Sequence, residues 1–136
     1  MLWRLKLRGV DSGARWQRLA ERWEQVPLAD ARPFFRAHAM MAFAATGRKE
    51  AARRLLKSLP LAGSEVAGRW PEHAVSRPVC EALLAFAAED YAACLASLYR
   101  VSHIADRCGG SLAQCQISQL TFVEAKRRAG ETLLAA

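Results

Sequence analysis

Little in this chain would build a β-sheet. Isoleucine occurs twice and threonine three times in 136 residues, and no run alternates apolar and polar positions between turn signals, so no segment reads as a strand. No apolar run approaches the length that a membrane span requires. Met1-Leu2-Trp3 is followed at once by Arg4, Lys6 and Arg8, so no apolar leader core can form there. The cysteines, Cys80, Cys94, Cys108 and Cys115, include no Cys-x-x-Cys pair. A metal site would need tighter ligand spacing, and these thiols are expected as small apolar core residues in a reduced, cytoplasmic setting. No Walker-type or dinucleotide-binding glycine pattern occurs, and no cofactor is expected. Acidic residues are outnumbered, 13 against 20 basic ones, giving a net charge of +7. That balance permits attraction to nucleic acid or acidic proteins. The cations are nevertheless spread over Arg4-Lys6-Arg8, Arg48-Lys49, Arg53-Arg54-Lys57 and Lys126-Arg127-Arg128. Solvated helix faces and cations near helix C-termini account for such a spread, so nucleic acid is not the expected partner.

Alanine, leucine and arginine dominate instead, and all three favour helix. The most informative pattern is a helix–turn–helix that occurs twice. One copy runs from His38 to Leu56 and the other from Cys80 to Leu98. Met40, Phe43, Lys49, Ala52 and Leu56 match Ala82, Ala85, Tyr91, Cys94 and Leu98 at a constant offset of 42 residues. Small Ala82 and Cys94 would let two helices approach closely, with Tyr91 and Leu98 filling the groove between neighbours. Such spacing predicts stacked helical hairpins, with a period longer than the about 34 residues of a standard tetratricopeptide unit. The excess falls in Pro60 to Pro71, which reads as an enlarged loop. The fold class expected is all-α: a short right-handed superhelix of tetratricopeptide-like hairpins, with about seven helical segments in one domain, residues 1–136.

Helix boundaries follow from local chemistry. Asp11 or Ser12 can cap a helix carrying Trp16, Leu19, Ala20 and Trp23 on one face. Asp30 can cap the next, with Pro33 in its first turn. Gly47 can end that helix in a left-handed conformation. Gly109-Gly110-Ser111 stops one helix and caps another that is expected to run to about Ala129, where Gly130 repeats the role of Gly47. Leu2 to Arg8 then reads as the end of a first helix, and Glu131 to Ala136 as the start of an unfinished one, so that a hairpin is cut at both ends.

Three stretches resemble the C-terminal part of the tetratricopeptide repeat protein 38 family. Leu2-Trp3-Arg4-Leu5 with Gly9-Val10 is similar to one of its segments. His38 to Phe43 followed by Gly47-Arg48 is similar to a second. Pro78-Val79-Cys80, Ala82 to Phe86, Asp90-Tyr91 and Gly109-Gly110-Ser111 are similar to a third. Together they cover nearly all of the chain. The resemblance implies an α–α superhelix with no established chemical activity. The chain departs from the family where polar residues stand: Phe35 and Arg36 replace an Asn-Asp pair, and Leu112, Cys115 and Gln116 replace His, Arg and Asp after the Gly-Gly-Ser turn.

Candidate contact residues are His38, His103, Ser111 and Trp70. A histidine base would need a nucleophile and an orienting carboxylate within reach. A Gly-Gly-Ser turn at a helix N-terminus could cradle an anion, but Ser111 is better explained by capping. Trp3, Trp16, Trp23 and Trp70 could each anchor a partner. The spacing of Trp16 and Trp23 predicts core positions, and Trp70, in the glycine-containing loop, is the candidate for exposure. The expected function is a non-catalytic protein-interaction module. Alternatives are a small-ligand or enzymatic pocket near His38, His103 and the Gly-Gly-Ser turn, or a basic nucleic-acid binder. The helix from Leu112 to Val123 carries Leu112, Ile117, Leu120, Phe122 and Val123, more apolar surface than one sheltered face needs. It predicts a protein partner or self-association as a homodimer.

Overall fold

The computed structural model of the chain describes residues 2–28, 31–61, 75–101 and 112–135. Those residues form seven α-helices and no strand: α1 (Leu2–Leu7), α2 (Gly13–Glu24), α3 (Pro33–Thr46), α4 (Lys49–Ser58), α5 (Ser76–Ala87), α6 (Tyr91–Tyr99) and α7 (Leu112–Ala135). None is long and apolar enough to cross a membrane. α3 and α5 lie side by side at the centre, with α2 against the outer side of α3. α4 folds back on α3 and α6 on α5, while α7 packs on α6.

The turns explain this path. α3 ends at Gly47 with φ 68°. Arg48 N–H donates to the Phe43 carbonyl and Gly47 N–H to that of Ala44, the paired bonds of a Schellman stop. α1 ends the same way at Gly9, φ 77°, where Val10 N–H reaches Leu5 and Gly9 N–H reaches Lys6. α5 repeats the arrangement at Glu89, which takes φ 61° without being glycine. Asp90 N–H donates to Ala85 and Glu89 N–H to Phe86. The second helices of the two hairpins therefore begin at Lys49 and Tyr91, on the 42-residue spacing of the sequence. Asp90 Oδ1 then caps α6 through Ala93 N–H at 3.1 Å. Pro33 occupies the first helical position of α3.

The core is continuous and its centre is aromatic. Trp3, Phe86, Met40, Leu83, Cys80 and Cys94 are fully buried. Trp3 meets Trp16 edge-on at 6.3 Å between ring centroids and Phe86 at 5.8 Å. Ala82 and Cys94 are both at 0% exposure, and Met40 and Ala52 at the matching positions are equally enclosed.

Three details depart from the sequence reading. Ser12 holds the cap position of α2 without a side-chain bond, and Asp11 Oδ1 accepts from Gly13 N–H instead, at 2.8 Å. Trp3 is core, so it cannot be an exposed anchor. The last helix does not stop near Ala129, because α7 runs on through Gly130 to Ala135, so no separate helix begins at Glu131. A glycine inside a helix costs only about 1 kcal/mol relative to alanine, and the Arg127–Glu131 ion pair spans this one at i,i+4. Asp30 lies outside the described residues.

Candidate functional site

Of the four sequence candidates, only His38 is placed. His103, Ser111 and Trp70 lie outside the described residues, as does Gly109-Gly110. His38 sits half-buried in α3. Its Nδ1 is 2.8 Å from the Phe34 carbonyl oxygen, which can only accept, so Nδ1 carries the proton. The ring lies against Phe34 at 4.1 Å between centroids. That bond is one helical turn long and fixes the imidazole on its own helix.

Beside it, Arg36 is almost wholly buried, and its Nε donates to the Leu28 carbonyl at 3.0 Å. It fastens the segment after α2 to α3. Phe35 points outward, 44% exposed. Arg36 and Phe35 thus divide into one structural clasp and one surface ring.

Cys80 and Cys94 are buried free thiols. Burial pushes Cys80 up to about 12, against the lowering influence of Arg36. Burial likewise raises Cys94 to about 11, with the Asp90 charge adding to it. Neither yields thiolate near neutrality, and the thiolate is the reactive form.

A broad cleft lies elsewhere, at the end of the bundle where the turns after α1 and α5 meet α7. It encloses about 610 Å³ between Leu7, Arg8, Gly9, Glu89, Tyr91, Glu124, Arg127, Arg128 and Glu131. A second hollow of about 270 Å³ shares Gly9, Glu89 and Arg128 with it. Arg128 organises this end. Its Nη2 donates to the Leu7 carbonyl at 3.0 Å, its Nη1 to Tyr91 Oη at 3.3 Å and its Nε to Glu124 at 2.8 Å. Its guanidinium also lies 4.9 Å from the Phe86 ring centre, within cation–π range. The Arg127 hydrogen bond overcomes partial burial and, with Arg128, holds Glu124 down to about 2. A carboxylate so firmly ionised is a poor proton donor. These groups latch α1, α6 and α7 together, and the cleft has the chemistry of a polar seam.

The remaining surfaces are apolar or basic. On the last two helices, Tyr99, Leu120 and Val123 are exposed, and Tyr99 stands edge-on to Phe122 at 5.1 Å. Sequence spacing singled out this stretch of α7. Nothing in the sequence marked the end cleft, because its members come from three distant segments. No family model, curated protein or solved structure matches the chain.

Proposed function

We propose that this chain is a non-catalytic, tetratricopeptide-like interaction module that associates with a second copy of itself through the outer side of α6 and α7. The observation that carries the reading is the exposed apolar surface there: Tyr99 is 58% exposed, Val123 63% and Leu120 41%. Large exposed apolar side chains on neighbouring helices favour a contact face, and pairing about a two-fold axis is the commonest way to cover one. The matched hairpins add support. Met40 and Ala52 in one and Ala82 and Cys94 in the other are buried at matching positions, and α4 and α6 begin on the same 42-residue spacing. The resemblance to the tetratricopeptide repeat protein 38 family points the same way, toward binding without chemistry. His38, hydrogen-bonded within its own helix, and the two buried thiols offer no acid–base or nucleophile pair that would favour an enzyme.

Sedimentation velocity over a series from low to high micromolar protein tests this. The apparent mass of the wild type should rise from 15.0 kDa toward twice that value. Leu120→Glu with Val123→Glu, two exposed positions that leave the core untouched, should hold the chain monomeric at every concentration. A wild type that stays at 15.0 kDa throughout would reject self-association.

A further inference from the structure

Two of the six charged side chains that line the end cleft have no task in the fold. Arg127 pairs with Glu124 and Glu131, and Arg128 pairs with Glu124 at 2.8 Å. Arg8 and Glu89 line the same cleft. Both are exposed, and neither forms an ion pair, with the other or with any group among the described residues. They stand on the two turns that meet there, Arg8 directly before Gly9 and Glu89 directly after α5 and Ala88. Glu89 holds its place against the preference of its own backbone. It takes φ 61°, a conformation that glycine enters freely and a side chain resists. Asp90 already caps α6, so the Glu89 carboxylate is not needed to start that helix. Strained residues concentrate where a ligand is held.

The chemistry of the cleft selects among ligands. A phosphate or other simple anion would meet Glu89, Glu124 and Glu131 as well as the three arginines. A divalent cation needs several oxygen ligands close together, and no group of three or more ligating side chains occurs among the described residues. An apolar ligand would strip water from charged groups and return nothing. A molecule with both signs a few bonds apart satisfies both rim residues. Its ammonium donates to the Glu89 carboxylate, and its own carboxylate accepts from the Arg8 guanidinium. The volume of about 610 Å³ is that of a small-molecule site. Leu7 and half-buried Tyr91 offer a side chain an apolar wall. We propose that the end cleft binds a free α-amino acid as its zwitterion, with Glu89 taking the ammonium and Arg8 the carboxylate. The site does not depend on self-association.

The test is ligand titration followed by saturation-transfer NMR, with L-phenylalanine as the probe. Two analogues each lack one charge: phenylalanine amide has no carboxylate, and N-acetylphenylalanine has no ammonium. Phenylalanine should bind at least tenfold more tightly than either, because each analogue loses one charge-assisted contact. Glu89→Gln keeps the side-chain size and removes the charge. It should weaken phenylalanine at least tenfold and leave N-acetylphenylalanine unchanged. Arg8→Gln should weaken phenylalanine to a similar degree and leave the amide unchanged. Arg54→Gln, at an exposed position on α4, should change neither. Arg8 and Glu89 are exposed, so both variants should melt as the wild type does, which circular dichroism checks. The proposal fails if phenylalanine does not bind the wild type, or if Arg8→Gln and Glu89→Gln bind it as the wild type does. It fails also if Arg54→Gln weakens binding equally. An analogue that binds as tightly as phenylalanine would overturn it too, since a peptide terminus would then suffice as ligand.

Discussion

Trp3 has more depending on it than its position in a six-residue helix suggests. An isolated helix that short is not stable in water, so α1 is held by what it touches. The indole is 1% exposed, and its Nε1–H donates to Thr121 Oγ1 at 2.9 Å. Thr121, fully buried, donates its own hydroxyl hydrogen bond to the Ile117 carbonyl at 2.7 Å. Thr121→Val keeps the shape but leaves a buried indole N–H without a partner, which costs about 1–3 kcal/mol. Urea titration should show the unfolding free energy falling by that amount, as a lower midpoint with an unchanged slope. A variant as stable as wild type would mean the bond is dispensable. Residue-level features of this kind were only partly legible in the sequence. Burial of Cys80, Cys94 and Ala82 followed from helical spacing, which places small residues where helices cross. Burial of Trp3 and Arg36 did not, since each depends on a segment far from its own periodic pattern. His38 is the one candidate site residue that the described structure places.

Among elements, the three turns that follow α1, α3 and α5 share one hydrogen-bond pattern but not one residue type. Gly9 and Gly47 enter the left-handed region at no steric cost. Glu89 does so with a Cβ, at about 1–2 kcal/mol. Its side chain is exposed, so Glu89→Gly would remove that cost and surrender little contact. After allowing for the larger backbone entropy of glycine in the unfolded chain, the expected result is a gain of about 0.5–1 kcal/mol. It should be read as a higher melting temperature on the circular dichroism signal at 222 nm. Destabilisation would show that the Glu89 carboxylate makes a contact that outweighs the strain. The asymmetry also explains which boundaries could be foreseen. Glycine announced the stop at Gly47, whereas at Glu89 the stop comes from Asp90, whose side chain caps α6. At Gly130 the composition signal misleads, because a glycine only ends a helix when the chain has another path to take. There the ion pairs of Arg127 and Arg128 with Glu124, and of Arg127 with Glu131, carry α7 straight on.

At the scale of the molecule, the chain is closed by contacts between its first and last helices. Trp3 bonds to Thr121, Arg4 donates to Gln116 at 2.9 Å, and the Leu7 carbonyl accepts from Arg128. Hairpin periodicity reports neighbours close in sequence and is silent about pairs more than a hundred residues apart, so this closure was not legible in advance. It makes α1 a wedge that fills the space between α2, α5 and α7 through Trp16, Phe86 and Thr121. Removing residues 1–8 would open a void of indole size in the core and strip Arg128 of its carbonyl acceptor. Truncating a buried aromatic costs about 3–5 kcal/mol by itself, a large share of the stability of a domain this size. The truncated chain should therefore keep much of its helical signal, bind an apolar dye such as ANS and lose its cooperative thermal transition. If it melts as sharply and at the same temperature as the full chain, with no dye binding, the hairpins form the core unaided and α1 is an appendage.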